Sequence, residues 1–305
     1  MYTIGIHPLP KLITGVWCVS LENFLAQSLI GLYKGSFYWL LAVGLTLIFG
    51  VTRIINFAHA SFFVLGGYLM FTSYTYTGSF VLSLVVSMIV TGLVGVFFEI
   101  LLIRRIYRVN PIYQLLLTFG IALVVNEFQK IIWGKFPKYV DIPEYMRGGI
   151  MIGDVGISYY VLTIIGLGFL ILILVHFIIN TSLWGLKVRT VWRDNVVAQV
   201  LGINPNAVYT SVFFLGTALA GLGGALMVAL HPVGPGLGDH LIVYAFIVVV
   251  IAGLGNIMGA FIVSILIGVI SSLAAWLAPE VDILIVYSIA ALVLLLKPEG
   301  LFGER

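Results

Sequence analysis

The sequence predicts an all-α polytopic membrane protein that crosses the bilayer about eight or nine times. Three observations carry that prediction. Hydrophobic residues make up 61% of the 305-residue chain and charged residues only 9%, against about 25% charged in soluble domains. Mean hydropathy is +1.17, more apolar surface than a water-soluble core can hide. The apolar residues also form continuous runs instead of alternating, which favours helices over a transmembrane barrel.

The opening stretch, "MYTIGIHPLPKLITGVWCVSLENFLAQ", lacks a basic segment followed by a clean apolar one, and Glu22 and Asn23 interrupt it. Residues 1–23 are therefore expected to form an interfacial lead-in, followed by a membrane domain over 24–305. A hydrocarbon core of about 30 Å needs roughly 20 helical residues. Runs near that size fall at 28–50, 54–77, 80–103, 112–134, 159–180, 207–230, 241–255, 258–278 and 282–296, the seventh and ninth being short.

Basic residues orient these spans. Arg104, Arg105 and Arg108 follow the third run; Lys187, Arg189 and Arg193 follow the fifth; Lys297 and Arg305 follow the ninth. With nine spans these clusters share one side, which the positive-inside rule makes cytoplasmic, leaving the N-terminus outside. The loop 135–158, where Lys135, Lys138 and Arg147 are balanced by Asp141, Glu144 and Asp154, falls opposite. Spans one to four and six to nine follow a similar order in opposite directions. That is the pattern of two inverted halves with interrupted helices at a mid-membrane interface.

Several functions are excluded by what is missing. The net charge of +3 comes without a basic, aromatic-interleaved cluster, so nucleic acid is not a ligand. Cys18 is the single cysteine and the five histidines are scattered, which leaves no internal disulfide and no metal motif. No G-x-x-x-x-G-K-S/T loop occurs, so energy from ATP has to come from another polypeptide. No series of buried acids and histidines suggests a proton relay, and no credible catalytic pair suggests a membrane enzyme.

Polar chemistry enters the membrane in "RIINFAHASFFVLGG", residues 53–67. Asn56, His59 and Ser61 stand within two turns, after Gly50–Val51–Thr52–Arg53 and ahead of Gly66 and Gly67. A buried amide and imidazole need partners that lipid cannot supply. These residues either tie a broken helix to its neighbours or line a solute pathway. Thr118 in the fourth span and the outer-loop pair Asp239 and His240 are further candidates. Glu99 is expected to pair with Arg104 or Arg105 at the inner end of the third span, Glu127 with Lys130, and His176 to sit at the interface. Gly216, Ala220 and Gly224, and again Gly255 and Gly259, are spaced for close helix approach. "HPVGPGLGDH", 231–240, cannot continue a helix through lipid.

The loop 181–208 is the longest on the basic side. Asp194 is placed to cap a short helix in which Val196, Val197, Val200 and Leu201 form an apolar stripe, Ala198 and Gly202 lie four apart, and "INPN" stops it. Such a helix lies on the bilayer or inserts into a partner's groove.

"GLTLIFGVTRIINFAHASFFVLGGYL", "RDNVVAQVLGINPN", "ALAGLGGAL", "IAGLGNIMGAFIVSILIGVI" and "KPEGLFG" together resemble the branched-chain amino acid class of ATP-binding-cassette permeases, in particular the Liv H-type subunit. The resemblance runs from about residue 24 to the C-terminus with the blocks in order. It implies an importer in a prokaryotic plasma membrane: a second permease subunit (a copy or a sister), two cytosolic ATPases holding ATP and magnesium, and an extracytoplasmic binding protein. It implies no cofactor in this chain, and branched-chain or other hydrophobic amino acids as cargo. Residues 194–205 match the family's coupling loop, with Asp194 as its acidic start, Ala198 and Gly202 as its A-x-x-x-G core and Ile203 following; its second alanine is missing. Many relatives carry a glycine and an acidic residue where this chain has Ala60 and Ser61. That departure leaves urea, short amides and aromatic or carboxylic acids open as cargo.

Overall fold

The computed structural model describes residues 21–152 and 155–303. Most of the expected lead-in therefore lies outside the described residues, as do Cys18, Asp154 and Arg305.

Each of the nine apolar runs forms a helix: α1 (Leu21–Thr52), α2 (His59–Thr77), α3 (Phe80–Leu101), α4 (Pro111–Trp133), α5 (Tyr159–Thr181), α8 (Pro205–Met227), α9 (Leu237–Ala252), α10 (Ile257–Leu277) and α11 (Asp282–Leu296). Two further helices, α6 (Leu183–Arg193) and α7 (Asn195–Val200), fill the basic-side loop. A two-stranded hairpin, β1 (Gly149–Ile152) and β2 (Val155–Ser158), marks the opposite end of the bundle. Among the described residues six helices are long and apolar enough to cross a bilayer, namely α1, α3, α4, α5, α8 and α10.

The helix starts follow from local chemistry. Ser79, Asn110, Ser158, Ser182, Asn204 and Asn256 each accept a hydrogen bond from the first turn of the helix they precede. Pro111 and Pro205 occupy the first helical position, where a missing N–H costs nothing. α1 begins earlier than its apolar run suggests. Glu22 and Asn23, which interrupt the apolar pattern of the sequence, lie within this helix.

Packing pairs the two halves. Gly44 of α1 meets Gly216 of α8 and Leu40 meets Gly223, so these two helices cross antiparallel. α1 lies along α10 through Gly31, Gly35 and Gly268, and α3 lies along α8 through Gly92, Gly95 and Gly221. Exchanging α1–α4 with α8–α11 maps the α1–α10 contact onto the α8–α3 contact and returns α1–α8 and α2–α9 to themselves. This is the arrangement expected of two inverted halves. Small residues supply the close approach that membrane packing needs in the absence of a hydrophobic drive between helices.

Candidate functional site

Both α2 and α9 start inside the bundle, not at its ends. α1 stops at Thr52, where Arg53 takes φ 56, the one left-handed non-glycine residue among those described. The chain then turns back without helical structure to Asn56, whose Oδ1 accepts from the Ala58 N–H at 3.1 Å and opens α2. His59 Nε2 lies 3.1 Å from the Leu41 carbonyl oxygen. Leu41 precedes the end of α1 by 11 residues, so α2 begins about 16 Å inside that end.

α9 repeats the device from the other side. After α8 the chain turns back through 228–236, pinned by the Lys138–Val233 bridge, and Gly236 at φ 84 leads into α9. Gly238 packs against the backbone of Ala60 and Ser61. The first turns of the two helices thus meet in the interior, and neither has a side-chain N-cap bond. The stretch 231–240 is accordingly helical from Leu237 onward. Asp239 and His240, expected in a loop, occupy the first turn of α9, because no proline follows Pro235 there.

The residues singled out from the sequence divide into two groups. Asn56, His59 and Ser61 are gathered at the start of α2, all buried, and Thr118 joins them from α4 by donating to the Ile55 carbonyl at 3.1 Å. Gln129, also on α4, donates to the Ser61 carbonyl at 2.9 Å. These two α4 side chains satisfy backbone groups near the break in the helix. Asn56 Nδ2 and His59 Nδ1 are buried without a hydrogen-bond partner. Asp239 and His240 are exposed at the same level, and Asn126 Nδ2 reaches Asp239 Oδ1 at 3.3 Å. Thr118→Val leaves the Ile55 carbonyl unsatisfied and is expected to cost about 1–2 kcal/mol, whereas Thr118→Ser keeps the bond. Thermal unfolding of the three proteins in detergent checks this.

The second group forms α7. Asp194 Oδ1 accepts from Val196 N–H at 2.7 Å and Val197 N–H at 3.1 Å, capping the helix. Gly202, at φ 75, closes it: its N–H donates to Gln199 at 3.0 Å, and Ile203 N–H donates to Ala198 at 2.9 Å. This paired closure needs a left-handed residue, hence glycine. Val196, Val197, Val200 and Leu201 are exposed. Ala198 is buried against the bundle, beneath the stripe and not part of it.

Glu99 is the most deeply placed acid in the chain's basic end, with 0% exposure. It receives Arg104 Nε at 3.1 Å and Nη2 at 2.9 Å, Tyr107 OH at 2.8 Å, and Thr210 Oγ1 at 2.8 Å. The bond to Glu99 raises the Arg104 pKa, and burial, followed by the Glu99 charge, pushes the Tyr107 phenol up. The pair with Arg104 was visible in the sequence. Thr210, 111 residues away, was not. Glu127 pairs with Lys130 at 2.6 Å on the exposed face of α4, and His176 Nδ1 meets Asn180 at 3.2 Å.

An inverted helical bundle with two helices broken at its interior defines a membrane transport permease. The chain belongs to the family described as branched-chain amino acid transport system permease components, whose family model matches residues 28–296. It is 28% identical over 298 residues to the high-affinity branched-chain amino acid transport system permease protein BraD of Pseudomonas aeruginosa, covering 92% of this chain and 96% of that one. It is 26% identical over 297 residues to the corresponding LivH protein of Escherichia coli K12, with the same coverage. A probable LivH permease of Methanocaldococcus jannaschii is 26% identical over 250 residues, covering 78% of this chain and 76% of that one. No solved structure matches. The chain is a permease subunit of this importer class.

Proposed function

We propose that this chain forms the membrane pathway for branched-chain or other hydrophobic amino acids, driven by separate ATPases that grip α7. The observation that carries the reading is the interior meeting of the α2 and α9 N-termini beside Asp239. A helix N-terminus favours an anionic group and an aspartate favours a cation. Together they complement the carboxylate and ammonium of a zwitterion, and apolar helices around them suit an aliphatic side chain.

The end bearing Arg104, Arg105, Arg108, Lys187, Arg189, Arg193 and Lys297 is cytoplasmic in this reading. The hairpin end then faces the extracytoplasmic binding protein, and the N-terminus lies outside. ATP and magnesium are held by two cytosolic ATPases, and a second permease, a copy or a sister, completes the path. Asn56, His59, Ser61 and Thr118 shape the α2 end of that path, and Asp194, Ala198, Gly202 and Ile203 build the coupling element. Closure of the ATPases moves α7, and the halves rock about the α2–α9 meeting point.

Liposomes containing this chain with its ATPases, binding protein and ATP are expected to import leucine, and liposomes with the chain alone are not. Accumulation by the chain alone on a proton or sodium gradient would overturn the reading. Asp239→Asn removes the negative partner and is expected to raise the KM for leucine about tenfold with assembly intact. An unchanged KM assigns the ammonium elsewhere.

A further inference from the structure

We propose that Glu99 is a positioning residue for coupling, holding α7 to α3 and α8 through Tyr107, Tyr209 and Asn195. The inference rests on the reading that α7 docks on an ATPase.

The connection is continuous. Asn195, the first residue of α7, donates from Nδ2 to Tyr209 OH at 3.0 Å. The Tyr209 and Tyr107 rings are 4.7 Å apart between centroids. Tyr107 OH donates to Glu99 Oε1 at 2.8 Å, and Thr210 joins Glu99 to the next residue of α8 after Tyr209. Glu99 thus gathers the end of α3, the turn Ile103–Ile106 and the start of α8 around one carboxylate.

Why a transmission role fits better than a packing role follows from energetics. α3 and α8 are already joined by Gly92 and Gly95 against Phe214, Thr217 and Ala218. The Glu99 side chain is fully buried while that of Arg104 stays 32% exposed, and taking a carboxylate out of water carries a desolvation cost that its partners must offset, so helix packing alone gives no reason to keep a carboxylate there. α7 has six residues, too few to hold shape or place alone. It packs on α6 and buries Ala198 against the bundle, and Asp194, extended, joins it to α6. Packing on α6 alone passes a partner's push to α6. With Asn195 bonded to Tyr209, the push reaches the crossing at the bundle's centre, because α8 runs from there to Gly216.

The test uses the full importer in liposomes, reading leucine transported per ATP hydrolysed. Tyr209→Phe deletes the hydroxyl that receives Asn195 and leaves the tilted ring contact with Tyr107. It is expected to lower the ratio about fivefold or more, with thermal midpoint and ATPase co-purification unchanged. Tyr107→Phe, which removes the phenol's bond to Glu99 and leaves the Arg104 and Thr210 bonds, is expected to act alike, and the double variant to add nothing further. A Val196→Cys permease, cross-linked to cysteines placed on the ATPase surface, reports on docking in the same preparation. Cross-linking with an unchanged ratio overturns the role of Glu99 and leaves the docking reading standing. Absence of cross-linking overturns the docking reading and the positioning role together.

Discussion

Gly224→Ala is expected to destabilise the chain severely in the membrane, although it adds a single methyl group. A Cβ at Gly224 overlaps the Phe63 carbonyl oxygen of α2, a closer approach than at any other glycine among those described. The obstructing atom is backbone, so no rotamer change relieves it. Gly66, one turn further along α2, meets the Gly221 backbone in the same manner. α2 is therefore held against α8 by main-chain contact, and a methyl group forces the helices apart. Overpacking typically costs about 1–3 kcal/mol and more where backbone must move. Separation here also displaces the start of α2, so the loss is expected at or above that range. Gly120→Ala in α4 and Gly166→Ala in α5 are the controls: nothing lies within 4 Å of either Cβ. Both are expected to be neutral or to gain up to about 1 kcal/mol, since alanine is the better helix former. Detergent-extracted yield, monodispersity and thermal midpoint of the three variants separate the cases. A monodisperse Gly224→Ala protein with an unshifted midpoint would show that α2 and α8 are not in backbone contact.

The helices were legible because lipid makes them so. With no water to satisfy backbone groups, a spanning segment must be continuous and apolar, as the runs forming α1, α3, α4, α5, α8 and α10 are. The short element after Asp194 was legible for another reason: a capping aspartate, an apolar stripe and a closing glycine each carry a local geometric meaning. α6 passed unnoticed although its signals were present: Ser182 caps it, and Trp184, Val188 and Val191 share a face beneath Lys187 and Arg189. The depth at which α9 begins was not legible. Pro232 and Pro235 announce a break, but only the packing of Gly238 on Ala60 tells that the break lies in the interior. Contacts such as Glu99 to Thr210 or Asn126 to Asp239 join residues more than 100 positions apart. Nothing local in the sequence encodes them, so a polar residue there reads as merely costly until its partner is seen.

Val200→Glu is expected to reduce uptake by the assembled importer to background while leaving the permease folded. Val200 is 83% exposed and Val196 70%, and with Val197 and Leu201 they form an apolar face at the basic end. At that exposure a carboxylate in place of Val200 stays in water and leaves the fold undisturbed. If an ATPase covers it, docking loses the burial of a valine, worth about 1.5–3 kcal/mol, and must also desolvate a charge, which costs more. A combined loss near 3 kcal/mol weakens binding by roughly 100-fold. Gly202 is a poorer place to ask the question. Its φ of 75 means that any side chain strains the closing turn, at a cost of about 1 kcal/mol, so lost activity there confuses a frayed α7 with a lost contact. Val200 separates the two, because a glutamate near the end of a six-residue helix leaves both the Asp194 cap and the Gly202 closure in place. The measurements are ATPase co-purification, leucine uptake and thermal midpoint on one preparation. Wild-type uptake with a normal midpoint would mean that the stripe rests on lipid headgroups, since a single added charge at the rim of a bilayer is tolerated where one in a closed protein groove is not.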